Sequence, residues 1–322
     1  MDCFHSASVF ASDTRLPAPG LPDWLERMVP FQRSCLRIEG YRIHFMQTGK
    51  GLPVLMLHGN PTWSFLWRKV ATALAGQPLQ IVMPDLVGLG LSDKPRDLAF
   101  HQLDTHAHLV GSFIDALGLK SVILVGQDWG GPIGLLALAE RQGCTAGLVL
   151  MNTLAESLRV GGRTPFFHRF SRWPVISDVA FRLLGFPLNA LATVQGDPNS
   201  ISGEVAAAYR WPLARAADRV APLALARMVP SSADHPSAPG LRRCHAFLNA
   251  FSGPTALVWG KRDPILGHSL HRMERVLPRA RVTQTRAGHF LQEEVPLEIA
   301  AAIRDVAQRA HAARRPQDTT PT

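Results

Sequence analysis

Three features of the sequence predict an α/β architecture, with helices flanking a mostly parallel sheet and a helical cap inserted late in the chain. Short apolar runs of strand length alternate with helix-patterned stretches from Leu52 to Met151. The alternation breaks between Thr153 and about Cys244, then resumes. Ahead of the break, VGQDWGGPIG (Val125–Gly134) carries a buried strand through a glycine-rich turn directly into an Ala- and Leu-rich helix.

Taken in order, residues up to about Gly20 are rich in Ser, Ala and Pro with no period, and the last residues, RRPQDTTPT, are similar. Such segments cannot bury enough apolar surface to order themselves, so a loosely ordered extension is expected over 1–30 and a disordered tail over 313–322. LRIEGYRIHFMQTG (Leu36–Gly49) alternates around Glu39-Gly40 and predicts a hairpin. LPVLMLHG (Leu52–Gly59) is continuously apolar, the pattern of a strand covered on both faces. A helix over Phe65–Leu74, a strand over Gln80–Met83, a helix over His106–Leu117 and a strand over Ser121–Val125 follow. The cycle continues with a helix over Gly131–Arg141 and a strand over Gly147–Met151. After the break it resumes with a strand over Thr255–Trp259, a helix over His268–Val276, a strand over Arg281–Thr285 and a closing helix over Leu297–Ala310. The core is therefore expected over 31–152 and 246–312. A cap over 153–245 would lie on the carboxyl edge of the sheet, where open α/β sheets bind ligands.

Composition narrows the function classes. No apolar run is long enough to span a bilayer, and the N-terminus lacks a basic segment followed by an apolar one, so a cytoplasmic protein without a membrane partner is expected. The four cysteines have no CxxC spacing, which argues against a zinc site or a disulfide framework. The charge of +9 and pI near 10.1 come mostly from arginines dispersed among Ala, Leu and Pro. A nucleic-acid surface would cluster them on one element, so no nucleic-acid partner is expected.

The glycine-rich turn places Asp128 exposed above a helix N-terminus. Related elbows carry a serine there; a carboxylate instead favours attack on an sp³ carbon over attack on a carbonyl. Three more segments end strands on the same edge. HGNPTWSFLWR brings Asn60 beside the elbow, WGKRDPI places Asp263, and RAGHFLQEE places His289. Nucleophile, acid, histidine is the chain order of an α/β-hydrolase triad.

On these motifs the sequence resembles the haloalkane dehalogenases of the α/β-hydrolase superfamily. The likeness runs from about Leu36 to Ala310 and is densest in HGNPTWSFLWR, DLVGLGLSDKP, GQDWGGP, WGKRDP and AGHFLQEE. It implies the α/β-hydrolase fold, with an eight-stranded, mostly parallel sheet and a cap. It further implies an alkyl halide substrate, Asp128 as nucleophile, His289 as base, and Asn60 with Trp129 holding the halide. Members of that family differ in which strand the acid follows. Asn152 fills the earlier position with an uncharged amide, which favours Asp263, with Glu156 as rival. Trp173 and Trp211 are candidates for a second halide-binding tryptophan from the cap. The expected partners are a small halogenated hydrocarbon, water and halide ion, with no cofactor or metal.

An epoxide hydrolase would resemble this pattern but needs two cap tyrosines, and the chain has only Tyr41, in the first hairpin, and Tyr209. A fluoroacetate dehalogenase would carry Arg where Trp129 stands. A non-catalytic small-molecule-binding protein on the same fold is the reading from another class.

Overall fold

A computed structural model of the chain describes residues 15–154 and 166–314. Nine strands form one sheet in the order β1-β2-β3-β5-β4-β6-β7-β8-β9. They are β1 (Arg15–Pro17), β2 (Gln32–Ile38), β3 (Tyr41–Thr48), β4 (Leu52–Leu57), β5 (Leu79–Pro84), β6 (Val122–Gln127), β7 (Thr145–Met151), β8 (Thr255–Gly260) and β9 (Arg281–Thr285). β1, β2 and β3 pair antiparallel, as does β3 with β5; every other pairing is parallel.

The continuous apolar runs explain how the central strands are covered. Alternate residues point to opposite faces, so each run feeds two cores. Leu55, Leu57, Leu124, Leu148, Leu150 and Leu257 enter one, against Ile133, Leu135, Leu136 and Leu138 of the helix Gly130–Ala139. Val54, Met56, Ile123, Val125, Val149 and Val258 enter the other, against Ile299, Ile303 and Val306 of the closing helix Pro296–Arg314. The four large apolar side chains of the helix Gly130–Ala139 are fully buried, and at about 1.5–3 kcal/mol each they tie it firmly to the sheet.

The strand order also locates a crevice. From β4 the chain crosses to β5 on one side, then returns past β4 to β6 on the other. The loops leaving β4 and β6 therefore meet at the carboxyl edge, the usual ligand position in open α/β sheets.

Two expectations are corrected. The sheet has one strand more than the eight expected, and residues 15–30 are not loose. β1 pairs with β2, and the short helix Asp23–Glu26 buries Leu25, with Val29 beyond it, against the second core. The Pro- and Ala-rich composition hid those two isolated anchors. Between β7 and β8 the described residues form helices and turns, with no strand. The last of these helices, Ala238–Ala250, runs past the expected cap boundary at 245. It joins the core because Cys244 is buried with its thiol donating to Pro132 O, and Gly240 closes on Leu103. Residues 1–14 and 315–322 lie outside the described part of the chain.

Candidate active site

Asp128 follows the last residue of β6 at φ 50°, a left-handed conformation that turns the strand abruptly into the helix Gly130–Ala139. The end of β7 fixes that turn from both sides. Asp128 N–H donates to Asn152 O at 3.1 Å, and Thr153 Oγ1 donates to Asp128 O at 2.7 Å. Two glycines make room. A Cβ on Gly130 would fall 2.1 Å from Leu57 O, and one on Gly59 would fall 2.3 Å from Asp128 Oδ1. The second approach is what lets the loop after β4 close on the carboxylate: Asn60 N–H donates to Asp128 Oδ1 at 2.9 Å. Asp128 Oδ2 faces His289 Nε2 at 3.7 Å, beyond direct hydrogen-bond reach.

His289 lies on the loop after β9, held through its backbone. Its N–H donates to Val194 O of the cap at 2.9 Å, and Gln127 Nε2 donates to its carbonyl at 3.1 Å. On the far side of the ring, Nδ1 donates to Asp263 Oδ2 at 2.8 Å. Asp263, on the loop after β8, accepts two further hydrogen bonds, from Asn152 Nδ2 to Oδ2 at 2.6 Å and from Ile265 N–H to Oδ1 at 2.7 Å. Asn152 is itself locked, exchanging hydrogen bonds with the backbone N–H and C=O of Gly260.

Charge and burial divide the three groups. Burial raises the affinity of Asp128 for a proton, and the His289 charge and the backbone N–H groups of Asn60 and Trp129 only partly offset it, so its pKa stands above the usual carboxylate value. Burial pushes Asp263 the same way, but His289, Asn152 and the Ile265 N–H outweigh it and hold Asp263 below that value. For His289 burial favours the neutral ring, yet the charges of Asp263 and Asp128 prevail and raise its pKa.

Asp128, Trp129, Asn60 and His289 share one cavity, walled by the cap residues Phe167, His168, Phe186 and Leu191. Trp129 is almost wholly buried beside Asp128. A second chamber meets the first at Asp128, Trp129, His168 and Ile265, with Val229, Pro230 and Leu241 on its wall. The Asn60 side chain is partly committed elsewhere: Nδ2 donates to Pro222 O of the cap at 2.9 Å, while Oδ1 is buried without a partner. One of its two amide N–H bonds thus docks the cap, which leaves the other for a ligand. No group of three or more His, Cys, Asp and Glu side chains among the described residues could hold a metal ion.

Asp128, Asp263 and His289 therefore converge, with Trp129 and Asn60 at the same cavity. Glu156, the rival acid, lies outside the described residues. Neither Trp173 nor Trp211 lines the cavity at Asp128; Trp173 is 43% exposed and Trp211 packs beside the second core. Tyr209 is fully buried and donates to Glu293 Oε1 at 2.5 Å, so it does not face the cavity. Sequence reasoning missed Asn152 as a clamp on Asp263. Its cue was Asn immediately after a buried strand, on the edge where Asp263 was already expected. It also missed His168, whose cap segment carries no motif.

A carboxylate on a strand-to-helix elbow, facing a histidine backed by a second carboxylate on a mostly parallel sheet, defines an enzyme of the α/β-hydrolase fold. The family model for the alpha/beta hydrolase fold matches residues 53–296. Among curated proteins, haloalkane dehalogenase 2 of Mycobacterium tuberculosis is 33% identical over 290 residues, 86% of this chain and 95% of that protein. The haloalkane dehalogenase of Mycobacterium marinum is 33% identical over 267 residues, 81% and 87% of the two chains. Among solved structures, the haloalkane dehalogenase DbeA from Bradyrhizobium elkani USDA94 superposes with a TM-score of 0.80 at 27% identity, covering 88% of this chain and 99% of that one. The chain belongs to the haloalkane dehalogenase family.

Proposed function

We propose that the protein hydrolyses small haloalkanes to alcohol and halide through an alkyl ester on Asp128. The observation that carries this reading is the asymmetry of the Asp128 carboxylate. Asn60 N–H engages Oδ1, whereas Oδ2 faces His289 in an apolar cavity walled by Trp129. Ionised Oδ2 attacks the halogen-bearing carbon; a C–O bond forms as the carbon–halogen bond breaks, and its electron pair leaves with the halide. Burial leaves this carboxylate weakly stabilised, which strengthens it as a nucleophile. The Trp129 indole N–H and the remaining Asn60 amide N–H are neutral donors for the departing anion, effective where water is excluded.

His289 Nε2 then takes a proton from water as the water oxygen adds to the ester carbonyl of Asp128. The Asn60 and Trp129 backbone N–H groups, which already face that carboxylate, stabilise the resulting oxyanion. Collapse expels the alcohol, which takes back the proton from His289, and the Asp128 carboxylic acid left behind loses its proton to regenerate the carboxylate. Asp263 holds the Nδ1–H tautomer and stabilises the imidazolium. The cycle uses no cofactor. We place it in the cytoplasm, consistent with the free thiols of Cys35, Cys144 and Cys244 and with the lack, among the described residues, of any helix able to cross a membrane.

Halide release from 1-bromohexane tests the reading. Asp128→Ala is expected to abolish it. His289→Ala is expected to release one halide per enzyme and to retain a hexyl group on the peptide carrying Asp128, visible by mass spectrometry. Undiminished release from Asp128→Ala would falsify the scheme.

A further inference from the structure

The cap supplies two polar side chains to the cavity that the chemistry above does not use; Thr193 is exposed and its Oγ1 donates to Ala190 O, which leaves His168. His168, on the cap helix Phe166–Phe170, lines both chambers where they meet at Asp128 and Trp129. Its Nδ1 lies 3.2 Å from Ala226 O. A carbonyl can only accept, so Nδ1 carries the proton and Nε2 is left with a lone pair. Burial lowers the pKa of this ring to about 4, which keeps it neutral at ordinary pH. Among the described residues no donor reaches Nε2. The surrounding wall is largely apolar, from Phe167 and Phe186 in one chamber to Val229, Pro230 and Leu241 in the other. Of the other polar side chains on the wall of the second chamber, Ser269 Oγ donates to Leu266 O, His268 is exposed, and Arg272 carries only donors, so none of them is a neutral acceptor in the place of His168.

A neutral acceptor in such a place cannot assist the departing halide, because its lone pair repels an anion. It can receive a hydrogen bond from a substrate that carries an O–H. A hydroxyl entering an apolar cavity without a partner loses its bonds to water, so one acceptor on the wall separates alcohols from ethers and plain alkanes. We propose that His168 Nε2 is a hydroxyl-binding subsite that selects haloalkanes bearing an alcohol group on the carbon chain away from the halogen. This selectivity rests on the dehalogenase reading, while the subsite itself does not.

The experiment compares 6-bromohexan-1-ol with 1-bromo-6-methoxyhexane, which keeps the oxygen and removes the donor. The quantity read is the ratio of their kcat/KM values in the wild type, His168→Leu and His168→Gln. The ratio is expected to fall about tenfold in His168→Leu, the worth of one neutral hydrogen bond, and to recover in His168→Gln, whose side-chain carbonyl again accepts. Equal ratios in the wild type and His168→Leu overturn the proposal. A second measurement needs no turnover: calorimetric binding of 1-hexanol against 1-methoxyhexane to the same three proteins. A preference for hexanol that falls about tenfold in His168→Leu supports the subsite, and a preference that does not change overturns it. If neither bromide releases halide, the dehalogenase reading fails, and the hexanol arm still decides the subsite.

Discussion

Two aspartates stand on opposite sides of one imidazole, and their surroundings drive them apart. Asp263 is fully buried and accepts three hydrogen bonds, from His289, Asn152 and the Ile265 N–H. Asp128 keeps 16% of its side chain exposed, takes the Asn60 N–H at Oδ1 with the Trp129 N–H also on the carboxylate, and has Oδ2 3.7 Å from His289 Nε2. Burial raises the pKa of both, but only at Asp263 do the partners prevail. The number and placement of donors, more than burial, therefore separates the two carboxylates, and in the proposed mechanism makes Asp263 the fixed counter-charge and Asp128 the one that forms a bond.

The strongest way to break this contrast is to remove the charge and keep the shape. Asp263→Asn retains an acceptor near His289 but loses the anion that holds the Nδ1–H tautomer and steadies the imidazolium. Ester hydrolysis is expected to slow about 10³–10⁴-fold, with the alkylation step far less affected, so rapid-quench kinetics should show a halide burst equal to the enzyme followed by near arrest. The direction of the pH effect also follows. Asp263 raises the pKa of His289, so its loss lowers that pKa and moves the acid limb of the hydrolysis step to lower pH, even as the plateau rate falls. An unchanged acid limb would mean that Asp263 does not set the charge of the ring.

A gentler change sharpens the comparison. Asn152→Ala removes one of the three donors to Asp263 and leaves the Gly260 N–H and C=O without their side-chain partners. Hydrolysis should fall less than in Asp263→Asn. Stability should drop by about 1–3 kcal/mol, read by denaturant unfolding, because buried polar groups lose their partners. With that donor gone the pKa of Asp263 should rise, a shift that ¹³C-carboxyl NMR would follow.

The convergence of Asp128, Asp263 and His289 was legible in the sequence because each follows a strand that announces itself. The apolar runs ending at Leu57, Val125 and Trp259 each lead into a loop with a polar candidate, and parallel strands bring those loops to one edge. His289 could be placed the same way, although the strand before it is short and mostly exposed. Apart from the Asn152 clamp within the core, what escaped notice at the site depends on contacts across the cap. The bond from Asn60 Nδ2 to Pro222 O and the approach of His168 to the cavity join residues far apart in sequence, through short helices that carry no long period. β1 escaped for a different reason: three residues offer too little pattern to be read, and pairing with β2 supplies what order they have.

A third buried carboxylate marks the other end of the scale. Glu293 is fully buried and saturated: Arg68 engages both of its oxygens, Lys69 pairs with it, and Tyr209 donates to Oε1 at 2.5 Å. No oxygen is left to meet a substrate, and Tyr209 is held by this cluster with its pKa raised well above 10, first by burial and then by the Glu293 charge. Tyr209→Phe should therefore cost about 0.5–1.5 kcal/mol in denaturant unfolding, the usual worth of one hydrogen bond, and leave halide release within about twofold of the wild type. An epoxide-opening enzyme would need a cap tyrosine at its cavity as a proton donor. A large loss of turnover in Tyr209→Phe without loss of stability would return that reading to contention and would show that a saturated carboxylate cluster can serve the chemistry after all.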